Sequence, residues 1–88
     1  MTIKNITMFF IESCPYCKAA SNCIDQLCDE NSGYKSLIIE KIDENVHPEI
    51  ADKYDYYYVP AFYVEGEKLH EGAASLEKIR RVFDAALE

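Results

Sequence analysis

Cys14-Pro15-Tyr16-Cys17 is the stretch of this 88-residue chain whose residue types and spacing best suit chemistry. Two cysteines at this spacing can pass between dithiol and disulfide. Set between a strand and a helix, in a chain without secretory features, they read as redox-active rather than as a structural staple. Proline suits the first helical position, where its fixed φ fits and its missing N–H would lack a partner anyway, so Cys14 falls at the N-cap and Pro15 opens the helix. Outward-pointing N–H groups and the helix dipole there favour a thiolate, lowering the Cys14 pKa from about 8.5 into the range ~3.5–7.5. Cys14 is therefore the expected nucleophile. Cys17, one turn in, is expected to be more buried, to keep a higher pKa and to attack second. Half of a zinc site, the other use of such a pair, needs a second ligand pair, and the chain offers only Cys23, Cys28 and the isolated His47 and His70. At ~100° per residue, Cys23 and Cys28 lie about 240° and 20° around the helix from Cys17, so Cys23 faces away from any shared metal centre. Cys28 is expected to be a core residue, and regulation by its thiol is the minor alternative use of Cys23.

The elements that must position this pair follow from the pattern around it. Residues 3–11 end in the apolar run Met8-Phe9-Phe10-Ile11, which reads as a strand buried on both faces. From Pro15 to about Asn31, Ala20, Ile24, Leu27 and Cys28 recur at helical spacing, and Asn31-Ser32-Gly33 ends the helix. A second strand is expected over Ser36–Asp43, parallel to the first because a helix joins them. His47-Pro48-Glu49 starts a short helix carrying Ile50, Ala51 and Tyr54 on one face, and Asp55–Tyr58 is a tyrosine-rich connection. Val59–Val64 reads as a strand, Glu65-Gly66-Glu67 as a hairpin turn and Lys68-Leu69-His70 as the partner strand. Gly72 breaks the pattern, Ser75 is an N-cap, and Leu76, Ile79, Phe83, Ala86 and Leu87 line a last helix. Pro60 cannot donate to a ladder, so it marks either a cis bond at the start of its strand or a trans proline on an edge strand.

The order βαβαββα, with no repeat, linker or low-complexity stretch, makes residues 1–88 one α/β domain. Hydrophobic residues at 49%, with seven tyrosines and four phenylalanines, suffice for a core. A net charge of −7 argues against nucleic acid or an anionic membrane as partner, and no stretch has the length of a membrane span. The segment Met1-Thr2-Ile3-Lys4-Asn5 lacks the apolar region of a signal peptide, so the cytoplasm is the expected location.

With C-P-Y-C after the first strand, Val59-Pro60 before a hairpin and Gly72 before the last helix, the chain resembles the thioredoxin superfamily over nearly its full length. Its tetrad and compact size are similar to a dithiol glutaredoxin. The second half, from Asp43-Glu44-Asn45 through Pro48–Tyr54 to Val59-Pro60-Ala61-Phe62, is similar to bacterial thioredoxin. The resemblance implies a four-stranded mixed sheet in the order 2-1-3-4 flanked by three helices, with the site at the carboxyl end of the first strand. It implies a cis Pro60 beside the dithiol, Val59 backbone groups that pair with an extended substrate, and Tyr16 flanking a bound thiol compound. In place of the family's buried aspartate and of the glutaredoxin cation before the tetrad stand Met8 and Ile11, and Glu71-Gly72-Ala73-Ala74-Ser75 replaces a Gly-Gly-Asp motif. The N–H groups of Gly72 and Ala73 onward, opening the last helix, remain placed to receive a carboxylate.

The implied activity is thiol–disulfide exchange on protein or glutathione mixed disulfides, started by Cys14 and resolved by Cys17. Glutaredoxin-type chemistry, with glutathione as co-substrate and a potential of about −200 to −230 mV, is the leading expectation. The alternative is a thioredoxin-type reductase recycled by an NADPH-linked flavoprotein. An iron–sulfur carrier using Cys14 with glutathione, or a redox-sensing module, is the reading from a different class. A monomer with no tightly bound cofactor and no metal is expected. Disulfide-containing proteins are the expected partners.

Overall fold

The run that feeds the dithiol is buried on both sides, and this organises the layers. The computed structural model describes residues 4–87. Strand β1 (Ile6–Phe10) sends Ile6 and Met8 to one face and Phe9 to the other, all three with almost no exposed surface. Helix α1 (Pro15–Glu30) and a 3₁₀ helix (Ser32–Ser36) lead to β2 (Ile39–Asp43). Helix α2 (Pro48–Ala51), β3 (Ala61–Val64), β4 (Glu67–Glu71) and α3 (Leu76–Leu87) complete the chain.

The sheet order is β2-β1-β3-β4, as the resemblance implies. Strand β1 runs parallel to β2, from Ile6 opposite Ile39 to Phe10 opposite Asp43, and antiparallel to β3, with Phe9 opposite Ala61. Strand β4 is antiparallel to β3, with an irregularity between Phe62 and Tyr63. On one face, Ile6, Met8, Phe62 and Val64 meet Ala20, Ile24 and Leu27 of α1 and Ile79, Val82, Phe83 and Ala86 of α3. On the other, Phe9, Ile42, Ala61 and Tyr63 are covered by Ile50, Ala51, Tyr54 and Tyr56. This second core is largely aromatic: Tyr56 stacks on Phe9 at 5.0 Å between ring centroids, and Tyr54 meets Tyr63 edge-on at 4.8 Å.

Several boundaries differ from the expectations. The first strand is Ile6–Phe10 rather than residues 3–11; Ile3 lies outside the described residues, and the Ile11 carbonyl instead accepts the Cys14 N–H at 3.0 Å. Ser36–Ile38 is not strand. Asn31 Oδ1 accepts the Gly33 N–H at 2.9 Å, starting the 3₁₀ turn. The turn then buries Tyr34 edge-on against Phe83, with its hydroxyl donating to Asp84 Oδ1 at 2.6 Å. Val59 and Pro60 precede β3 rather than belonging to it, and the bond between them is cis. The hairpin turns at Glu65-Gly66, both at positive φ (48° and 85°), so Glu67 already pairs with Val64 and β4 is longer than Lys68–His70.

Candidate active site

The end of β1, the start of α1 and the cis-proline segment meet at one end of the sheet. Beyond Phe10 a tight turn brings the chain to Cys14, the N-cap of α1, with Pro15 as the first helical residue. The Cys14 carbonyl accepts the N–H groups of Cys17 and Lys18, each at 3.1 Å, so the tetrad is the first turn of the helix. Cys14 is half-exposed and Cys17 only 4% exposed, and both are free thiols.

The two sulfurs sit in opposed electrostatic settings. Desolvation pushes the Cys14 thiol up, but the Cys17 N–H, the Cys17 thiol and the Tyr16 N–H outweigh it and hold Cys14 below the usual cysteine value. These groups point toward the sulfur without closing a full capping hydrogen bond. Burial pushes Cys17 up to about 11 against the opposing Ile11 amide, and Cys14 and the charge of Glu44 add to the rise. Glu44 is held beside the site at both ends: its N–H donates to the Phe10 carbonyl at 3.0 Å, and Oε1 accepts the Tyr56 hydroxyl at 3.0 Å. A cleft of about 410 Å³ opens over Cys17 between Phe10, Ile11, Glu12 and Lys18.

Ala61 lies opposite Phe9, which places Pro60 at the same end of the sheet as the tetrad. The Gly72 N–H, expected to receive a carboxylate, instead donates to the Pro60 carbonyl at 2.9 Å and ties the loop before α3 to this segment. Among the described residues the N–H and C=O of Val59 take no backbone hydrogen bond within the protein. Gly72 has φ 87°, a left-handed conformation that favours glycine. The carbonyls of Gly72 and Ala73 both face His70 Nε2, at 3.2 and 3.1 Å, which fixes the proton on that nitrogen. Tyr16 is 60% exposed at the rim. Each of the expected site residues Cys14, Pro15, Tyr16, Cys17, Val59, Pro60, Gly72 and Ala73 thus lies in the tetrad or in the segments joined at Pro60 and Gly72.

Four residues were not singled out by sequence reasoning for a place here: Glu44, Tyr56, His70 and Glu71. Glu71 Oε2 accepts the N–H groups of Tyr57 at 2.7 Å and Tyr58 at 3.1 Å, while Lys68 Nζ donates to Oε1 at 2.8 Å. The Lys68 ammonium first, then the two amides, hold the Glu71 carboxyl at about 2. The sequence signals near them were the Asp43-Glu44-Asn45 run of the thioredoxin-like half, the tyrosine-rich connection that holds Tyr56 and the altered glycine motif that Glu71 opens. Cys23 and Cys28 are half-buried and pack against the main core. Among the described residues no three His, Cys, Asp or Glu side chains gather as a metal site, and no helix is long and apolar enough to cross a membrane.

Residues 4–84 match the family model of the thioredoxin domain. The chain belongs to the thioredoxin domain family. It is 31% identical over 86 residues to a probable thioredoxin of Methanothermobacter thermautotrophicus, covering 98% of this chain and 99% of that one. The thioredoxin pre-protein of Schistosoma mansoni superposes with a TM-score of 0.73 at 24% identity, covering 97% of this chain and 80% of that one. The oxidised thioredoxin of Plasmodium falciparum does so with 0.71 at 20% identity, covering 96% and 81%. These solved structures show the thioredoxin fold. As a thioredoxin-family protein with a dithiol at the helix start, the chain is a thiol–disulfide oxidoreductase.

Proposed function

We propose that this thioredoxin-family protein reduces disulfides of partner proteins, with Cys14 as nucleophile and Cys17 as resolving thiol. The observation that carries the reading is the opposed setting of the two sulfurs one turn apart: Cys14 is accessible and favoured as thiolate, Cys17 buried and favoured as thiol. The Cys14 thiolate attacks one sulfur of the substrate disulfide, forming the Cys14–substrate bond and releasing the other sulfur as a thiolate. Cys17 then loses its proton and attacks the Cys14 sulfur, forming the Cys14–Cys17 disulfide and releasing the second substrate thiolate. Two electrons pass from the dithiol to the substrate. Val59 pairs its N–H and C=O with the extended substrate chain, and Pro60 and Tyr16 flank the reacting sulfurs.

The thioredoxin-type donor, an NADPH-linked reductase in a reducing compartment such as the cytoplasm, is supported by the curated relative and by the charge around the site. Glu12 and Lys18 border the Cys17 cleft and Glu44 adds negative charge, a setting that does not favour anionic glutathione. Glutathione as donor is the second reading, favoured by the C-P-Y-C tetrad and by the backbone N–H groups of Ala73–Ser75 before α3, the Gly72 N–H being taken by Pro60. Turnover of protein disulfides with NADPH and a thioredoxin reductase tests the first. Rapid turnover of a glutathione mixed disulfide with glutathione alone, surviving Cys17→Ser, overturns it in favour of the second.

A further inference from the structure

The tyrosines before the cis proline are exposed on a backbone that is held in place. Tyr57 is 83% and Tyr58 68% exposed, yet both amides are hydrogen-bonded to the Glu71 carboxylate. Rings on a fixed backbone give up little conformational freedom on binding, and tyrosine is enriched at binding hot spots for this reason. Tyr57 also forms one wall of a cleft of about 450 Å³ whose other walls include Tyr54, Tyr56, Glu44 and Asp52. Among the described residues neither Glu44 nor Asp52 has a cationic partner. Lys68 is engaged by Glu71, and Lys53 neighbours Asp52 and Asp55 in sequence, in a protein of net charge −7. Aromatic faces beside carboxylates that lack a cationic partner match the chemistry of a lysine or arginine side chain, which gains from both.

We propose that Tyr57 and Tyr58, pinned by Glu71 beside the cleft of Glu44 and Asp52, form a platform that receives a lysine- or arginine-bearing segment of the disulfide substrate. The proposal rests on the reading of the protein as a protein-disulfide reductase. In this arrangement the substrate chain that pairs with Val59 continues along Tyr58 and Tyr57, held by Glu71, toward the cleft that Tyr57 lines, while its sulfur meets Cys14.

The test uses the full reduced chain and short peptides whose single cysteine is a mixed disulfide with 5-thio-2-nitrobenzoate, flanked by lysines, glutamates or serines. Release of the coloured thiolate by stopped flow gives the second-order rate constant for each. The lysine-flanked peptide is expected to react about tenfold faster than the glutamate-flanked one, a preference that shrinks with added salt. Asp52→Asn and Tyr57→Ser are each expected to cut that ratio about two- to fivefold. Glu40→Gln, which removes the same charge from an exposed position on β2, retains it. Equal rates for the peptides, an unchanged ratio in both variants, or an equal drop in Glu40→Gln overturns the platform. If the wild type fails to react even with the serine-flanked peptide, the reductase reading falls and takes the platform with it. Reaction without preference overturns the platform alone.

Discussion

Cys14 and Cys17 occupy one helical turn, and their difference in acidity comes from what each sulfur faces. Cys14 sits among the outward amides of the N-cap; Cys17 is buried, and burial, the neighbouring Cys14 and the charge of Glu44 all disfavour its thiolate. The amides were legible because Pro15 announces the first helical position. Glu44 was not, because its approach depends on a bond from the residue just after β2 to the end of β1, Glu44 N–H to the Phe10 carbonyl, and on a hydroxyl from Tyr56. Removing that charge makes the Cys17 thiolate easier to form, while glutamine still accepts from Tyr56. In Glu44→Gln the pH midpoint of Cys17 alkylation, followed by peptide mass spectrometry in a Cys14→Ser background, is expected below that of the same background with Glu44. An unchanged or higher midpoint contradicts the electrostatic account.

At the scale of elements, periodicity sufficed wherever packing follows local pattern. Strand β1, helix α1 and helix α3 lie close to where their apolar spacing put them, and the Glu65-Gly66 turn follows from the residue pair. The segment before β2 misled because Leu37-Ile38-Ile39 continues an apolar run, while the structure turns Ser32–Ser36 into a 3₁₀ helix and leaves Ile38 63% exposed. Beyond the local Asn31 cap, the turn is held by a contact fifty residues away in sequence, Tyr34 to Asp84, which no local pattern encodes. Tyr34→Phe keeps the ring against Phe83 and removes the bond. It is expected to lower stability by about 1–2 kcal/mol in urea unfolding. A loss within error would show that ring packing alone holds the 3₁₀ helix.

For the molecule as a whole, the fold was legible because order, length and the cysteine–proline framework all pointed to one topology; the clamp at Glu71 and the tyrosine platform arise only when β4 is folded beside the residue 57–58 loop. The same assembly sets an alkaline weakness. Cys17 is raised to about 11, chiefly by burial, and Tyr34, Tyr56 and Tyr63 are raised above the usual tyrosine value, Tyr34 chiefly by its bond to Asp84 and the others by burial. A group with a raised folded pKa contributes stability below its unfolded value and loses it as pH rises through the folded one. The melting temperature of the reduced protein is therefore expected to fall from about pH 9 upward, and a flat profile to pH 11 contradicts the burial of these groups.

The most direct test of the central claim, that Cys14 opens the exchange and Cys17 closes it, is acid-quenched mass spectrometry of the reaction with a peptide disulfide. In Cys17→Ser a covalent adduct is expected to accumulate on Cys14, and in Cys14→Ser neither adduct nor turnover is expected. An adduct on Cys17, Cys23 or Cys28, or turnover in Cys14→Ser, would contradict the account.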